Sequence, residues 1–380
     1  MEFIDLKEQY KQLKNDIDSN IKNVLDNGHY IMGEEVKKLE KELAEYVGTK
    51  YCIACANGTD ALTIALMALD IKKGDAVFVP TFTFFSTAET VSAIGATPIF
   101  VDINERTFNI DTVKLEKAIQ QVKSNTNLNI KAIIPVDLFG QPAEYDKLRE
   151  IANKYNLKII EDGAQGFGGD INGKRACSFG DISTTSFFPA KPLGCYGDGG
   201  AVFTDDDKLY ELITSIRIHG KGNFKYDNVR IGLNSRLDTI QAAILLPKLE
   251  AFKKYELENR NKWASEYTKR LEKYVKTPIV LDGYTSSWAQ YTIILESVEK
   301  RNLIQEKLKE QGIPTNVYYP KPLHKQTVYS GYELNLEDLK VSEELCKTVL
   351  SLPMHPYLTE ENINIICEKI AEEIGDEEWN

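Results

Sequence analysis

One lysine lies in a segment whose residue types suggest covalent chemistry. Residues 184–201 begin as a β-rich run, reach Lys191 between apolar neighbours and then break into glycines. Pro189 and Pro192 flank the lysine, so neither a regular helix nor a central strand can continue through it. Desolvation there would lower the lysine pKa, and the free amine can form Schiff bases with carbonyl compounds. The competing interpretation is an ordinary surface lysine on a turn.

A carboxylate upstream suggests which carbonyl compound this amine would hold. Residues 156–162 form a short apolar run that ends in Glu161 and Asp162 and is followed by a glycine. An acid at the end of a central strand, about thirty residues before a strand-end lysine, suits pyridoxal phosphate (PLP). The carboxylate would keep the ring nitrogen protonated, while Lys191 would carry the cofactor covalently. Alternatively, Asp162 is the N-cap of a following helix.

A glycine turn is a candidate for binding the cofactor's phosphate group. Asn57, Gly58 and Thr59 stand between an apolar strand and an apolar helix. The first N–H groups of a helix have no partner within it and attract anions, so a helix start of this kind can bind phosphate. The same residue types also cap helices that bind no ligand.

The elements around these residues alternate between apolar strands and amphipathic helices. The predicted strands lie at residues 76–80, 97–102, 131–136 and 158–161, and the predicted helices at 83–94, 145–155 and 209–218. Continuous apolar strands separated by helices imply an α/β fold with a mainly parallel sheet covered on both faces. Ligands in such folds bind beyond the carboxyl ends of the strands, where Gly58, Phe84, Asp162 and Lys191 are predicted to fall. The polar segment 123–129 is interpreted as a solvated loop.

The composition of the chain changes after about residue 250. A charged helix at 255–273 leads into short strands and further helices at 301–311 and 360–374, which is typical of a smaller α+β unit. We therefore predict a large domain over residues 1–250 and a small C-terminal domain over residues 251–380.

Composition, charge and cysteine content limit the possible functions. The chain has 380 residues, of which 42% are hydrophobic and 27% charged, as in ordinary soluble globular proteins. A formal net charge of −11 argues against nucleic acid or an anionic membrane as a general partner. There is no run of about eighteen apolar residues and no basic signal peptide, so we expect the cytoplasm. The six cysteines do not suggest a disulfide framework, and the four histidines do not have metal-binding spacing.

Four motifs, in the same order, resemble the sugar-nucleotide aminotransferases of the DegT/DnrJ/EryC1/StrS family. They are E-D-G-A-Q at 161–165, S-F-F-P-A-K at 186–191, G-D-G-G at 197–200 and G-L-N-S-R-L at 232–237. The resemblance extends from Phe3 to Pro356, nearly the whole chain. It implies PLP fold type I, as in aspartate aminotransferase, with a large, mainly parallel α/β domain and a smaller α+β C-terminal domain.

The resemblance also assigns roles to residues on the cofactor side. The Gly58 and Thr59 amides and the Ser186 hydroxyl would hold the phosphate. Phe84 would stack on the pyridine ring, unless it is an ordinary core phenylalanine, and Gln165 would lie against the ring. Lys191 and Asp162 would keep the roles inferred above.

Other matching residues would face the substrate or a second subunit. Asn234 would reach across a homodimer to the neighbouring cofactor phosphate, although it could instead cap a helix. On an extended segment Arg236 would point the same way. It could pair with a uronate carboxylate, brace the helix start or bind the donor's carboxylate. Tyr319 and His324 resemble the family's substrate-side motif, although His324 could equally be a hydrogen-bonded surface histidine.

The implied activity is transfer of an amino group from glutamate to a nucleotide-linked keto-sugar. Residues 186–200 and 234–239 are similar to those of family members that act on UDP-2-acetamido-2-deoxy-3-oxo-glucuronate in O-antigen synthesis. The alternative is a dTDP-linked 3-keto or 4-keto-6-deoxyhexose. Family relatives that dehydrate sugars replace the lysine by histidine, so Lys191 argues against dehydration. A non-catalytic protein would not need the combination of Asp162, Gln165, Ser186, Lys191 and Asn234.

Overall fold

The computed structural model describes residues 1–224, 226–331 and 338–375. The helices in these ranges are α1 (Leu6–Asn27), α2 (Glu34–Val47), α3 (Gly58–Ala68), α4 (Ser86–Ala93), α5 (Thr112–Asn125), α6 (Tyr145–Tyr155), α7 (Asp207–Ile216), α8 (Thr239–Ala251), α9 (Leu257–Leu271), α10 (Val298–Glu310), α11 (Lys340–Thr348) and α12 (Glu360–Ile374). The strands are β1 (Tyr51–Cys55), β2 (Asp75–Pro80), β3 (Thr97–Val101), β4 (Asn129–Ile133), β5 (Lys158–Asp162), β6 (Asp170–Ile171), β7 (Lys174–Arg175), β8 (Ile182–Ser186), β9 (Gly200–Thr204), β10 (Tyr284–Thr285), β11 (Tyr291–Ile294) and β12 (Val349–Leu352).

The central sheet has seven strands in the order β1-β9-β8-β5-β4-β2-β3. Neighbours from β3 across to β8 are parallel, while β9 runs antiparallel to both β8 and β1. This arrangement confirms the predicted α/β fold with a mainly parallel sheet. In the β5–β8 pair Asp162 lies opposite Thr184, so the end of β5 and the strand leading to Lys191 meet at the same edge.

Alternation along the apolar strands explains why helices cover both faces of the sheet. In β2, Val77 and Val79 join the core that contains α3 and α4, whereas Ala76 and Phe78 join the core that contains α5 and α6. Successive side chains of a strand point to opposite faces, so a strand that is apolar throughout needs cover on both sides.

The differences from the predicted elements lie mainly at their ends. The helix predicted over 83–94 begins only at Ser86, because extended chain continues past β2, where Thr81 N bonds to Val101 O. The helix predicted over 209–218 is shifted to α7, since the Asp206 side chain accepts the N–H groups of Lys208 and Leu209. α5 extends into the segment predicted to be a loop and ends at Asn125.

A nearly continuous helical run leads into the C-terminal part of the chain. α8 passes through a π-helical turn at Phe252–Glu256 directly into α9. α9, α10, α12 and the antiparallel pair β11–β12 then enclose a hydrophobic core of their own. The domain boundary predicted at residue 250 falls within this helical run, and the two-domain division stays a prediction.

The structure also shows the state of the cysteines and whether any helix could span a membrane. All six cysteines are buried, and none of them forms a disulfide. Across residues 1–224, 226–331 and 338–375, no helix combines the length and apolar character needed to span a bilayer.

Candidate active site

A cavity of about 680 Å³ opens beyond the carboxyl ends of the parallel strands. The start of α3, the end of β5, the segment after β8 and residues 317–319 form its walls. The predicted site residues that line it are Gly58, Thr59, Phe84, Asp162, Gln165, Ser186, Lys191 and Tyr319. Asn234, Arg236 and His324 are not among the residues that line this cavity. The structure therefore brings most of the predicted residues together and leaves three of them outside.

Lys191 lies in a tight irregular turn immediately after β8. Its backbone N–H donates to Phe188 O at 2.9 Å, and Cys195 N donates to Phe187 O at 2.8 Å, which folds residues 188–194 back on themselves. The two prolines fit this turn because it needs no regular ladder of hydrogen bonds. Burial lowers the pKa of the Lys191 ammonium group, and the nearby Asp162 carboxylate opposes that shift. The direction is the one expected from the sequence.

Asp162 is a buried carboxylate at the end of β5. Its Oδ2 accepts a hydrogen bond from Thr87 Oγ1 at 2.9 Å, and its Oδ1 accepts one from Ala164 N at 3.3 Å. Burial raises the pKa of Asp162, while the Thr87 hydroxyl and the Lys191 ammonium oppose the rise. Turns rather than a helix follow at residues 163–169, so the alternative role as a helix N-cap is wrong.

The N-terminus of α3 and Ser186 form the opposite end of the cavity. Asn57 caps α3 by accepting Asp60 N at 2.8 Å, and no acceptor for the N–H groups of Gly58 and Thr59 occurs in the described part of the chain. A Cβ at Gly58 would lie 2.7 Å from Ser186 Cβ, closer than two carbon atoms can pack. Glycine is therefore required for the helix start and the Ser186 hydroxyl to share one anion-binding cradle.

Aromatic and amide side chains form the walls between these two ends. Gln165 Oε1 accepts from Phe139 N at 2.6 Å, and its Nε2 donates to Tyr319 OH at 3.2 Å. Burial raises the pKa of the Tyr319 hydroxyl, so it remains neutral. Phe84 is 56% exposed, and the centre of its ring lies 6.5 Å from that of Tyr319. An exposed ring at the cavity contradicts the interpretation of Phe84 as a core residue.

These features fit pyridoxal phosphate as the bound cofactor. The cradle at Gly58, Thr59 and Ser186 suits a phosphate group. A buried carboxylate at Asp162 suits a protonated ring nitrogen, and a lysine with a lowered pKa suits covalent attachment to an aldehyde.

His324 lies on a short 3₁₀ turn, Leu323–Lys325, and is not part of the cavity wall. Its Nδ1 is 2.7 Å from Thr81 Oγ1, and its Nε2 is 3.0 Å from Glu343 Oε1, so both ring nitrogens have protein partners. Burial lowers the pKa of the imidazole, against the opposing effect of Glu343. This arrangement agrees with the alternative of a hydrogen-bonded histidine, although the ring is buried and not on the surface.

Asn234 and Arg236 lie on an extended segment whose side chains alternate. Ser235 and Leu237 are fully buried, while Asn234 is exposed and Arg236 half-buried. Ser235 N donates to Arg217 O at 3.0 Å, which fixes the segment in this orientation. The two predicted residues thus point the same way, outward from this chain, as their spacing suggested.

The sequence did not predict a role for Thr87, which lies behind the cavity wall, or for Gln290, which lines the cavity. Thr87 holds the Asp162 carboxylate, and its place four residues after Thr83, one helical turn on, was an available signal. Gln290 lines the cavity from the far side, and its Oε1 has no hydrogen-bond partner within the described ranges. Nothing in the sequence marks Gln290, because only the tertiary fold brings it to the cavity.

Comparisons with known proteins find relatives along nearly the whole chain. A model of the DegT/DnrJ/EryC1/StrS aminotransferase family matches residues 11–371. A Pseudomonas aeruginosa protein named UDP-2-acetamido-2-deoxy-3-oxo-D-glucuronate aminotransferase is 49% identical, over 97% of this chain and 98% of its own.

Two solved structures resemble the fold closely. A Brucella abortus aminotransferase described with the same family name has a TM-score of 0.95 at 48% identity, covering 97% of this chain and 98% of its own. A Bacillus subtilis protein solved with its cofactor pyridoxamine phosphate has a TM-score of 0.87 at 34% identity, covering 98% of this chain and 83% of its own.

Proposed function

This chain belongs to the DegT/DnrJ/EryC1/StrS aminotransferase family, and we propose that it transfers an amino group from glutamate to UDP-2-acetamido-2-deoxy-3-oxo-glucuronate. It is a PLP-dependent aminotransferase for nucleotide-linked keto-sugars. The observation that carries the proposal is the strand-end cavity that Lys191 and Asp162 line together with an anion-binding helix start. The 49% identity to a relative named for this substrate supports the choice of sugar.

Five residues that line the cavity have proposed roles in binding the cofactor. When bound, PLP supplies a carbon that takes up the amino group and a protonated ring that withdraws electrons from the reacting atoms. Gly58, Thr59 and Ser186 would bind its phosphate group. Asp162 would keep the ring nitrogen protonated, since a buried carboxylate favours a nearby positive charge. Lys191 would hold the cofactor through its Nζ atom.

Lys191 would also move protons during the reaction. With its Nζ free, the Lys191 amine would take the proton from the α-carbon of glutamate. Efficient proton transfer needs a base whose pKa lies near the working pH, and burial lowers the Lys191 pKa in that direction. Phe84 and Gln165 would orient the ring, and Tyr319 would contact the substrate from the C-terminal side of the cavity.

The outward direction of Asn234 and Arg236 supports a homodimer with composite sites. Near them Val229 is 54% exposed and Ile231 84% exposed, so a second copy packed here would remove apolar surface from water. Asn234 would then reach the cofactor phosphate of the partner subunit. Arg236 would lie beside the substrate in that same neighbouring site.

Arg236 is the residue proposed to recognise the uronate. A guanidinium can donate two parallel hydrogen bonds to a carboxylate, and no acceptor for it is found in the described part of its own chain. Arg236→Lys keeps the charge but loses the paired geometry. It should weaken use of the uronate by about 1.5–3 kcal/mol. A neutral keto-sugar should lose much less, and equal losses for both sugars would reject this role.

The substrate proposal is tested by turnover with purified enzyme and glutamate. The UDP-linked 3-keto-uronate is compared with its neutral 3-keto counterpart and with a dTDP-linked 3-keto-6-deoxyhexose. The uronate should give the highest kcat/KM, and preference for the dTDP-linked sugar would support the alternative substrate instead. Reaction with glutamate alone separates a failed sugar from a failed enzyme.

The composite site is tested by mixing inactive protomers. Lys191→Ala and Asn234→Ala lie in different halves of each proposed site, so a mixed dimer would regain one intact site. Partial recovery of activity after subunit exchange is expected. Exchange that is verified independently but restores no activity would indicate that each site is built from one chain.

We also propose a place for the enzyme in the cell. All six cysteines are free thiols, which suits the reducing cytoplasm. The amino sugar would then be consumed by the assembly of a surface polysaccharide such as O-antigen.

A further inference from the structure

Two buried carboxyl groups lie on neighbouring segments behind the cofactor side of the site. Asp137 follows β4 on the chain, and Glu161 precedes Asp162 in β5. Both residues are 0% exposed. Asp137 N donates to Asp162 O at 3.1 Å, so the two segments run side by side, and each carboxyl group affects the pKa of the other. Neither residue belongs to the cavity lining, so the mechanism proposed above does not use them.

Glu161 has the surroundings of an ionised carboxylate. Its Oε2 accepts hydrogen bonds from Phe179 N at 2.7 Å, Gly180 N at 3.2 Å and Ser183 Oγ at 2.7 Å. Its Oε1 accepts a further bond from Cys177 N. Several N–H and O–H donors directed at one carboxyl group favour its charged form.

Asp137 is different, because one of its oxygens lacks a donor. Its Oδ1 accepts from Ala143 N at 3.0 Å and from Tyr145 OH at 2.8 Å. Its Oδ2 is buried, and no donor to it is found within the described ranges. A buried oxygen next to a carboxylate is satisfied if it carries a proton and donates it.

The described surroundings of the pair contain no cationic partner for a second negative charge. The titratable groups that face it are Tyr145, Tyr284 and Cys177, and burial raises the pKa of each, so all three are neutral. No lysine, arginine or histidine of the described ranges forms a hydrogen bond or ion pair with either carboxyl group. Two adjacent buried carboxylates cannot both be charged under these conditions.

We propose that Asp137 and Glu161 share one proton, carried on Asp137 Oδ2, and that the resulting hydrogen bond positions the turn that bears Asp162 and Gln165. Asp137 is the donor and Glu161 the acceptor. The strong upward shift of the Asp137 pKa, caused by burial and then by repulsion from Glu161, agrees with this assignment. The pKa of Glu161 is raised by burial but lowered by its donors.

The pair can act on the site because its backbone is joined to the catalytic strand end. Asp137 N donates to Asp162 O at 3.1 Å, and Phe139 N donates to the Gln165 side chain at 2.6 Å. Gly166 passes so close that a Cβ there would lie 2.5 Å from Asp137 Oδ2. A displacement of Asp137 would therefore also displace Asp162 and Gln165. For this reason Asp137 and Glu161 are positioning residues.

Infrared spectroscopy tests the proton directly, without any activity measurement. The wild-type spectrum minus that of Asp137→Asn should contain the carbonyl band of a protonated carboxylic acid near neutral pH. Asp102→Asn is the matched control: Asp102 is equally buried but bonded to Lys114 and Ser342, which lower its pKa although burial opposes them. That difference spectrum should lack the band. Absence of the band in the Asp137 comparison would overturn the proposal.

Cofactor binding tests the positioning role. The side-chain amide introduced by Asp137→Asn would offer Glu161 an N–H donor in place of the carboxyl proton, whereas alanine offers none. Asp137→Ala should therefore weaken PLP affinity by about tenfold or more, and Asp137→Asn should retain most of the affinity. Equal effects of the two variants would overturn the positioning role. The infrared result needs only the asparagine variant, so it remains decisive if the alanine variant does not fold.

Discussion

Lys191 and Lys248 both have ammonium groups whose pKa is lowered by burial, yet they lie in regions built in opposite ways. Lys191 interrupts the regular structure, lines a cavity and shares it with the Asp162 carboxylate. Lys248 lies inside α8, is fully buried and does not line that cavity. A lowered pKa is common to both, so it cannot by itself distinguish a catalytic lysine.

The region around Lys248 is a buried polar cluster where α1, α8 and α9 meet. Its Nζ lies 4.6 Å from the centre of the Tyr196 ring, and Gln9 donates to Glu256 at 2.9 Å across the junction. Several buried polar atoms there have no hydrogen-bond partner within the described residues. They are Gln9 Oε1, Tyr196 OH, Lys248 Nζ, Glu256 Oε2, Arg260 Nε and His355 Nδ1.

The two regions differ in whether a ligand can reach the lysine amine. At Lys191 the cavity allows a ligand to reach the amine, so its burial is consistent with the covalent role proposed for it. At Lys248 nothing but protein surrounds the amine, so its burial is a cost to stability.

Lys191→Ala should lower turnover by at least about 10⁴-fold, because both covalent attachment and proton transfer are lost. The matched control is Lys248→Met, which removes the other lysine of lowered pKa and should keep kcat/KM within about threefold of wild type. Steady-state assays and the visible absorbance of the bound cofactor measure both variants. An active Lys191→Ala enzyme would contradict the assignment of the active site.

Asp162→Asn should lower turnover by roughly 10²–10³-fold, the range for losing one electrostatic partner in an active site. A neutral amide still accepts the hydrogen bond from Thr87 but cannot favour a protonated ring nitrogen. Thr87→Val is the control, since it removes that bond and leaves the charge. Near-normal turnover of Asp162→Asn would reduce Asp162 to a structural role.

Lys248→Met should stabilise the protein below pH 8. Burial lowers the Lys248 pKa from its ordinary 10.5 to about 8, which corresponds to about 3 kcal/mol of unfolding free energy. Below pH 8 the folded protein keeps a buried charge, so methionine removes the full cost. Between pH 8 and 10.5 the folded state releases this proton and the unfolded chain keeps it, so the advantage shrinks.

Urea unfolding of both proteins across this pH range measures the effect. The difference in unfolding free energy should be largest at neutral pH and disappear above about pH 10.5. A difference that is constant with pH would mean that Lys248 acts through packing alone. A loss of stability at neutral pH would show that its charge is compensated in the folded protein.

The sheet and most of the cavity residues could be predicted from the sequence, because both depend on where the apolar strands end. Apolar runs such as β2 define buried strands, and prolines and glycines mark where the chain leaves them. In a parallel sheet the strand ends converge, so Gly58, Asp162 and Lys191 could be placed together without coordinates.

Contacts between distant parts of the chain could not be predicted in this way. The bond between Gln9 and Glu256 joins residues 247 positions apart, and Gln290 reaches the cavity only through the packing of the C-terminal part. The pairing of Asp137 with Glu161 depends on the spacing of neighbouring strands, which no local pattern encodes. His324 belongs to the same class, because its partners come from the segment after β2 and from α11.

His324→Gln should have only a small effect on activity. This substitution tests whether residues outside the cavity lining contribute to catalysis. Thr81 and Glu343 occupy both ring nitrogens, so the imidazole has no free polar atom for a sugar, and turnover should stay within about threefold of wild type. Glutamine can reach one of the two partners but not both, so the free energy of unfolding should fall by about 0.5–1.5 kcal/mol, one net hydrogen bond. Steady-state kinetics and urea unfolding separate the two effects. A large rise in KM for the sugar, with the free energy of unfolding unchanged, would contradict this prediction. It would show that His324 leaves Thr81 and Glu343 to contact the substrate, and that the substrate site extends beyond the residues that line the cavity.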